Sequence, residues 1–138
     1  MKLMIDTNII LDVFIKRQPF YEQSRKILEM CENKIMQGFV TASSITDIFY
    51  LVRKSTHSIE TAYQCLGALF DIVKVLPVTN DNVISAYTIK ANDFEDCLLA
   101  VCAKSNGCTY IVTRNESDFK DFDIPAVSPD EALNYLKK

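Results

Sequence analysis

Leu3-Met4-Ile5 is a short apolar run with no polar alternation, and it stops abruptly at Asp6. A run of that kind reads as a strand covered on both faces, the pattern of a central strand in a parallel α/β sheet. Comparable runs follow at Phe39-Val40-Thr41-Ala42, Ile72-Val73-Lys74-Val75-Leu76, Tyr110-Ile111-Val112-Thr113 and, more briefly, Ala126-Val127. Between them the apolar residues recur at helical spacing. Thr7-Asn8 turns into a helix carrying Ile9, Ile10, Val13 and Phe14, and Lys16-Arg17-Gln18-Pro19 breaks it before a second helix over Phe20 to Asn33. Ser43-Ser44 are good N-cap residues for a helix from about Ile45 to Lys54, with Asp47 in its first turn. Ile59, Ala62, Tyr63, Leu66, Leu69 and Phe70 form a further stripe, for which core packing is explanation enough.

Thr79 caps a helix from Asn80 to about Ala91 that turns Val83, Ile84 and Tyr87 inward. A new helix begins near Asp93; beyond Asp96 it is apolar nearly all round, so it is buried, and Lys104-Ser105-Asn106-Gly107 ends it. Ser128-Pro129-Asp130-Glu131 opens the final helix, with Ser as N-cap, Pro at N1 and Glu at N3. Strands alternating with helices predict an α/β fold with a parallel sheet covered on both faces. At 138 residues one domain spanning 1–138 is expected, burying roughly 68% of the surface of its unfolded chain.

The chemistry open to such a chain is narrow. Five cysteines are an odd number with no Cys-x-x-Cys pair, which argues against a disulfide framework and a zinc site. With His57 the sole histidine, a histidine zinc site or a Ser-His-Asp triad is poorly supported. The longest uncharged apolar stretch, Cys97 to Ala103, falls far short of the ~18 residues that span a bilayer, and no secretory signal precedes Asp6. A cytoplasmic protein with no membrane partner is the expectation. A net charge of -3 and a pI near 5.1 exclude binding to nucleic acid through bulk positive charge, but not a nuclease whose acidic site holds a cation.

The acids then matter by position. Asp6 ends the first strand, Asp47 follows the second, Asp93 and Asp96 open the buried helix, and Asp118 follows the fourth strand. In a parallel sheet, strand carboxyl ends and the amino ends of the following helices share one edge. Asp6, Asp47 and Asp118 should therefore converge, whereas Asp96 depends on how its helix docks. Each has an ordinary alternative: Asp6 as a helix cap, and Asp47, Asp93 and Glu95 as acids favoured at helix amino ends by ~0.3–1 kcal/mol. Several carboxylates in one crevice repel one another unless a cation neutralises them, and an all-oxygen ligand set selects Mg²⁺ or Mn²⁺. Such a site suits phosphodiester hydrolysis. Arg17, Arg53 and Arg114, close in sequence to these positions, are candidate contacts to an RNA phosphate backbone.

Four stretches in this order resemble the PIN domain, the metal-dependent ribonuclease fold of VapC-type toxins. They are Met4-Ile5-Asp6-Thr7-Asn8 with Leu11-Asp12 behind it, Ala42-Ser43-Ser44-Ile45-Thr46-Asp47, Asp93-Phe94-Glu95-Asp96-Cys97-Leu98-Leu99-Ala100, and Thr113-Arg114-Asn115-Glu116-Ser117-Asp118-Phe119. The resemblance implies an α/β/α sandwich with a parallel sheet of about five strands. It implies metal-binding, catalytic acids at Asp6, Asp47, Asp96 and Asp118, with Asn115, Asp93, Thr7 and Asp12 in support. It further implies an RNA substrate, a small antitoxin partner and a homodimer. The second acid is more often Glu in that family, so the shorter Asp47 has less reach to a metal.

Three other readings compete. A receiver-like, Mg²⁺-dependent phosphorylation switch needs an acceptor Asp at the end of its middle strand, where Pro77-Val78-Thr79 was the expected counterpart. A haloacid-dehalogenase-like phosphatase needs an acid two residues beyond Asp6, where Asn8 stands. A catalytically inactive PIN-like module that binds RNA or protein is the third, and retention of all four acids argues against it.

Overall fold

A computed structural model describes residues 1–136; Lys137 and Lys138, the end of the expected domain, lie outside the described residues. The five strands are β1 (Lys2–Ile5), β2 (Gln37–Thr41), β3 (Lys74–Leu76), β4 (Tyr110–Val112) and β5 (Ala126–Val127). All pair in parallel, in the order β3-β2-β1-β4-β5. The helices are α1 (Thr7–Phe14), α2 (Tyr21–Glu32), α3 (Ala42–Thr56), α4 (Ile59–Ile72), α5 (Asn80–Ile89), α6 (Phe94–Ser105) and α7 (Pro129–Leu136). A 3-10 turn spans Glu116–Phe119.

β1 is central, and its continuous apolar run has a direct cause. Leu3 and Ile5 enter the core cluster shared with α1, α2, α3 and α4, while Met4 enters the one shared with α5 and α6. Successive strand side chains point to opposite faces, so a strand covered on both sides has no position for a polar residue. Among the described residues no helix is long and apolar enough to cross a membrane. All five cysteines are free, and burial pushes the Cys31 thiol up to about 12, so it packs as a small apolar side chain.

Four boundaries or faces differ from the sequence-based expectation. Helix α3 begins at Ala42, with Thr41 at the N-cap, so Ser43 and Ser44 lie inside the helix; their hydroxyls meet the Thr41 hydroxyl at 3.0 and 2.7 Å. Asp47 consequently sits in the second turn. Ile72 ends α4 rather than opening β3, and Val73 still donates its N–H to the Leu69 carbonyl at 2.9 Å. In α5, Val83, Ile84 and Tyr87 face outward, and the buried residues are Asn82 and Ala86. Thr79 and Asn82 close a capping box, and Asn82 Nδ2 donates to Ser105 Oγ at 3.3 Å, which turns that polar side onto α6. In α4, Ala62 and Leu69 are buried while Ile59, Tyr63 and Phe70 are exposed.

The strand ending at Pro77 lies at the sheet edge, not in the middle, so its lack of an Asp does not weigh against a receiver-like switch. The strand order does: flavodoxin-like receivers run 2-1-3-4-5, whereas this sheet runs 3-2-1-4-5.

Candidate active site

The strand order reverses between β1 and β4, and ligand crevices in open parallel sheets form at such a switch point. Asp6 stands there. Its N–H donates to the Val112 carbonyl at 3.0 Å, extending the β1–β4 pairing by one residue. Its Oδ1 accepts from the Thr7 N–H at 2.8 Å as the cap of α1, and its Oδ2 accepts from the Thr113 hydroxyl at 2.8 Å. Thr113, fully buried at the end of β4, accepts in turn from the Asn115 N–H at 3.1 Å. Asp6 thus caps α1 and at the same time stands at the switch point. Sequence reasoning assigned Thr113 no role, since only the tertiary pairing of β1 with β4 brings it to Asp6.

Asp96 lies in the first turn of α6, where its N–H donates to Asp93 Oδ1 at 3.0 Å; Asp93 is the N-cap. Burial pushes the Asp96 carboxyl up to about 7, reinforced by the charges of Asp93, Asp6, Asp118 and Glu95. Burial also raises the Asp6 carboxyl; its hydrogen bonds from Thr113 and Thr7 oppose this, the Asp118 charge adds to it, and the Arg114 charge counters it. Asp118 sits in the 3-10 turn, its N–H donating to the Asn115 carbonyl at 3.0 Å, and the buried Phe119 anchors that turn. Asp6, Asp96, Asp118 and Asp93 therefore share one electrostatic environment, with Asp96 joining because α6 docks its amino end at the switch point.

Asp47 is more peripheral than expected. It is exposed, and its charge is felt at Glu95, whose carboxyl is raised by burial first and then by Asp47, Asp93 and Asp6. Glu95 bridges the fields of Asp47 and Asp6, a position that sequence reasoning treated as a routine helix-terminus acid. Among the described residues, no three His, Cys, Asp or Glu side chains stand close enough together to hold a metal ion.

Asp12 does not face the acid group. It is fully buried, accepts from Ser24 Oγ at 3.0 Å and from Arg114 Nε at 2.8 Å, and forms an ion pair with Arg17. Arg17 Nε lies 3.2 Å from Asp12 Oδ1 without hydrogen-bond alignment, and Arg17 Nη2 donates to the Asn8 carbonyl at 3.2 Å. Arg114 stacks its guanidinium 3.9 Å above the Phe20 ring. Arg53 lies in the last turn of α3, a helix whose amino end is at the sheet's carboxyl edge, so it is carried away from the acids.

The PIN domain model matches residues 2–117. "Ribonuclease VapC1" of Aquifex aeolicus (strain VF5) is 24% identical over 135 residues, covering 94% of this chain and 92% of that protein. The crystal structure of VapBC2 from Rickettsia felis, bound to a DNA fragment from its promoter, superposes with a TM-score of 0.73 at 18% identity, over 93% of this chain and 98% of that one. VapC20 of Mycobacterium tuberculosis, described as a sarcin-ricin loop cleaving toxin, does so at 0.68 with 12% identity, over 87% and 95%. With a family match over most of its length and a five-stranded parallel sheet that puts Asp6 and Thr113 at the switch point, the chain belongs to the PIN domain family.

Proposed function

We propose that the chain is a metal-dependent endoribonuclease of the VapC type, the toxin of a toxin–antitoxin pair. The observation that carries this reading is the electrostatic coupling of Asp6, Asp96 and Asp118 at the switch point. The donor set is oxygen only, which suits Mg²⁺ or Mn²⁺; burial is the main cause that pushes Asp96 up to about 7, and the added repulsion from Asp93, Asp6, Asp118 and Glu95 is what a cation would relieve. Asp6, held by two hydrogen bonds, would hold the cation together with the half-buried Asp96 and the exposed Asp118. Asp47 and Glu95 complete the negative rim.

When bound, a divalent cation supplies a hydroxide-like nucleophile and charge stabilisation at the departing oxygen. Thr113 orients Asp6 and supports its anionic form by donating to Oδ2. Glu95, raised by burial and by the charges of Asp47, Asp93 and Asp6 and not counted among the cation's ligands, is the group placed to take the proton of the attacking water. Arg114 holds the scissile strand through its Nη groups. The name of the Aquifex aeolicus relative, a ribonuclease, supports RNA as the substrate; a small antitoxin partner and a homodimer belong to the same reading.

Purified wild type is expected to cleave RNA in Mg²⁺ or Mn²⁺ and to stop on EDTA addition. Asp6→Asn is expected to lower the rate at least about 100-fold, the scale of losing an electrostatic catalytic group. Cleavage by Asp6→Asn at the wild-type rate would overturn the assignment. The lack of three ready ligands in one place favours a second reading, an inactive module that binds RNA or protein. RNA binding without cleavage in either metal would establish it.

A further inference from the structure

A cleft of about 420 Å³ has Phe20, Gln23, Arg114, Asn115, Glu116 and Asp130 among its lining residues, and Arg114 adjoins Thr113, which is bonded to Asp6. Three features of it are unusual together. Arg114 is fixed, since its Nε is bonded to the fully buried Asp12 and its guanidinium carbon lies over the Phe20 ring, 3.9 Å from the ring centre. Among the described residues, neither Nη group of Arg114 has a protein acceptor, and the side chain remains 21% exposed. Phe20 is a large aromatic left 40% exposed at the mouth.

Resting on the ribonuclease reading above, we propose that this cleft is a subsite for the nucleotide beside the scissile phosphate. Its base continues the Phe20–Arg114 stack, and its phosphate is held by the Arg114 Nη groups. RNA bases stack on guanidinium planes as well as on aromatic rings, and the in-plane edge of the fork matches phosphate oxygens. The fork has one edge on Asp12 and one free, so a base on its outer face and a phosphate at its free edge do not compete. Glu116 and Asp130, both lining the cleft, repel a phosphate and accept hydrogen bonds from base amines, which favours the base in the cleft and the phosphate toward Asp6. Chain continuity supports that direction: Arg114 directly follows Thr113, which is bonded to Asp6. Asp12 is a positioning residue, because it fixes the guanidinium before RNA arrives and so lowers the ordering cost of binding.

The test is anisotropy of a fluorescein-labelled mixed-sequence RNA decamer in Mg²⁺ across a salt series, with every variant in an Asp96→Asn background, together with steady-state cleavage in the Asp96-intact proteins. Phe20→Ala is expected to weaken binding about tenfold with an unchanged salt slope, and Phe20→Trp to restore it. Arg114→Ala is expected to weaken binding about tenfold and to reduce the salt slope by about one; Arg114→Lys keeps the slope without recovering the affinity. In cleavage, most of the loss appears in KM. Thermal unfolding confirms that each variant is folded. Tight, unchanged RNA binding by Phe20→Ala and Arg114→Ala overturns the subsite, as does failure of the background protein to bind the decamer. RNA cleavage with a KM that these variants leave unmoved overturns the subsite and keeps the ribonuclease reading. Cleft-dependent binding without wild-type cleavage does the reverse.

Discussion

Replacing Asp12 with Asn keeps the side-chain shape and removes its charge, at a site with no exposure at all. Asp12 ties three segments: α1, which carries it; α2, through the Ser24 hydroxyl; and the turn after β4, through Arg114 Nε at 2.8 Å. Breaking one partner of a buried ion pair costs ~3–5 kcal/mol, mostly from the charge left behind. Here the stranded charges are the arginines, whose side chains are 38% and 21% exposed, so water re-solvates them in part and the low end applies. Asp12→Asn is therefore expected to cost about 3 kcal/mol. Arg17 pairs without hydrogen-bond alignment and is the more exposed of the two, so Arg17→Met is expected to cost about 1 kcal/mol or less. Urea unfolding measures both; at a slope of about 2 kcal/mol per molar, Asp12→Asn lowers the midpoint by roughly 1.5 M. A loss below about 1 kcal/mol for Asp12→Asn, or an equal loss for Arg17→Met, would refute the view of Asp12 as the hub of this ion-pair group.

Two further perturbations probe the core and the acid group. A Cβ on Gly38 would stand 2.6 Å from Cys31 Sγ and 3.1 Å from Val73 Cγ1, so Gly38→Ala is expected to cost ~1–3 kcal/mol. Adding Cys31→Ala removes the sulfur, so the double variant loses less than the sum of the two single losses; strict additivity in urea unfolding would contradict the packing argument. Because the folded state raises the carboxyls of Asp96, Asp6 and Glu95, it binds more protons than the unfolded chain over the interval from about pH 4 to about 7. Their contribution is complete below the ordinary carboxylate range and is lost as the pH rises through about 7. Metal-free wild type should thus lose thermal stability relative to Asp96→Asn between pH 5 and 8, and Mg²⁺ should restore more at pH 8 than at pH 5. A wild type that gains on Asp96→Asn over that interval in EDTA would show the sign to be wrong.

The α/β alternation, all five strands to within a few residues, and the identity of the acids are legible from the amino-acid order alone. These are local properties: a strand buried on both faces cannot hide its apolar run, and the Ser128 to Glu131 cap is complete within four residues, with Glu131 N–H donating to Ser128 Oγ at 3.1 Å. What amino-acid order alone misjudges depends on partners distant in the chain. Helical spacing gives α5 an apolar face, yet the helix packs Asn82 and Ala86 against α6, with Asn82 bonded to Ser105, and leaves Val83, Ile84 and Tyr87 outside. Asp47 looked like a first-turn acid until Thr41 took the cap position and moved the helix start. The sequence pattern does not show how Asp12 is placed: it stands apart from the other acids, in an ion-pair group with Arg17 and Arg114. That β1 and β4 are neighbours emerges from the folded sheet, and with that pairing Thr113 meets Asp6 across 107 residues of chain. Side-chain spacing along a helix or strand is a local quantity, whereas sheet order and helix docking are settled by burial summed over the whole chain.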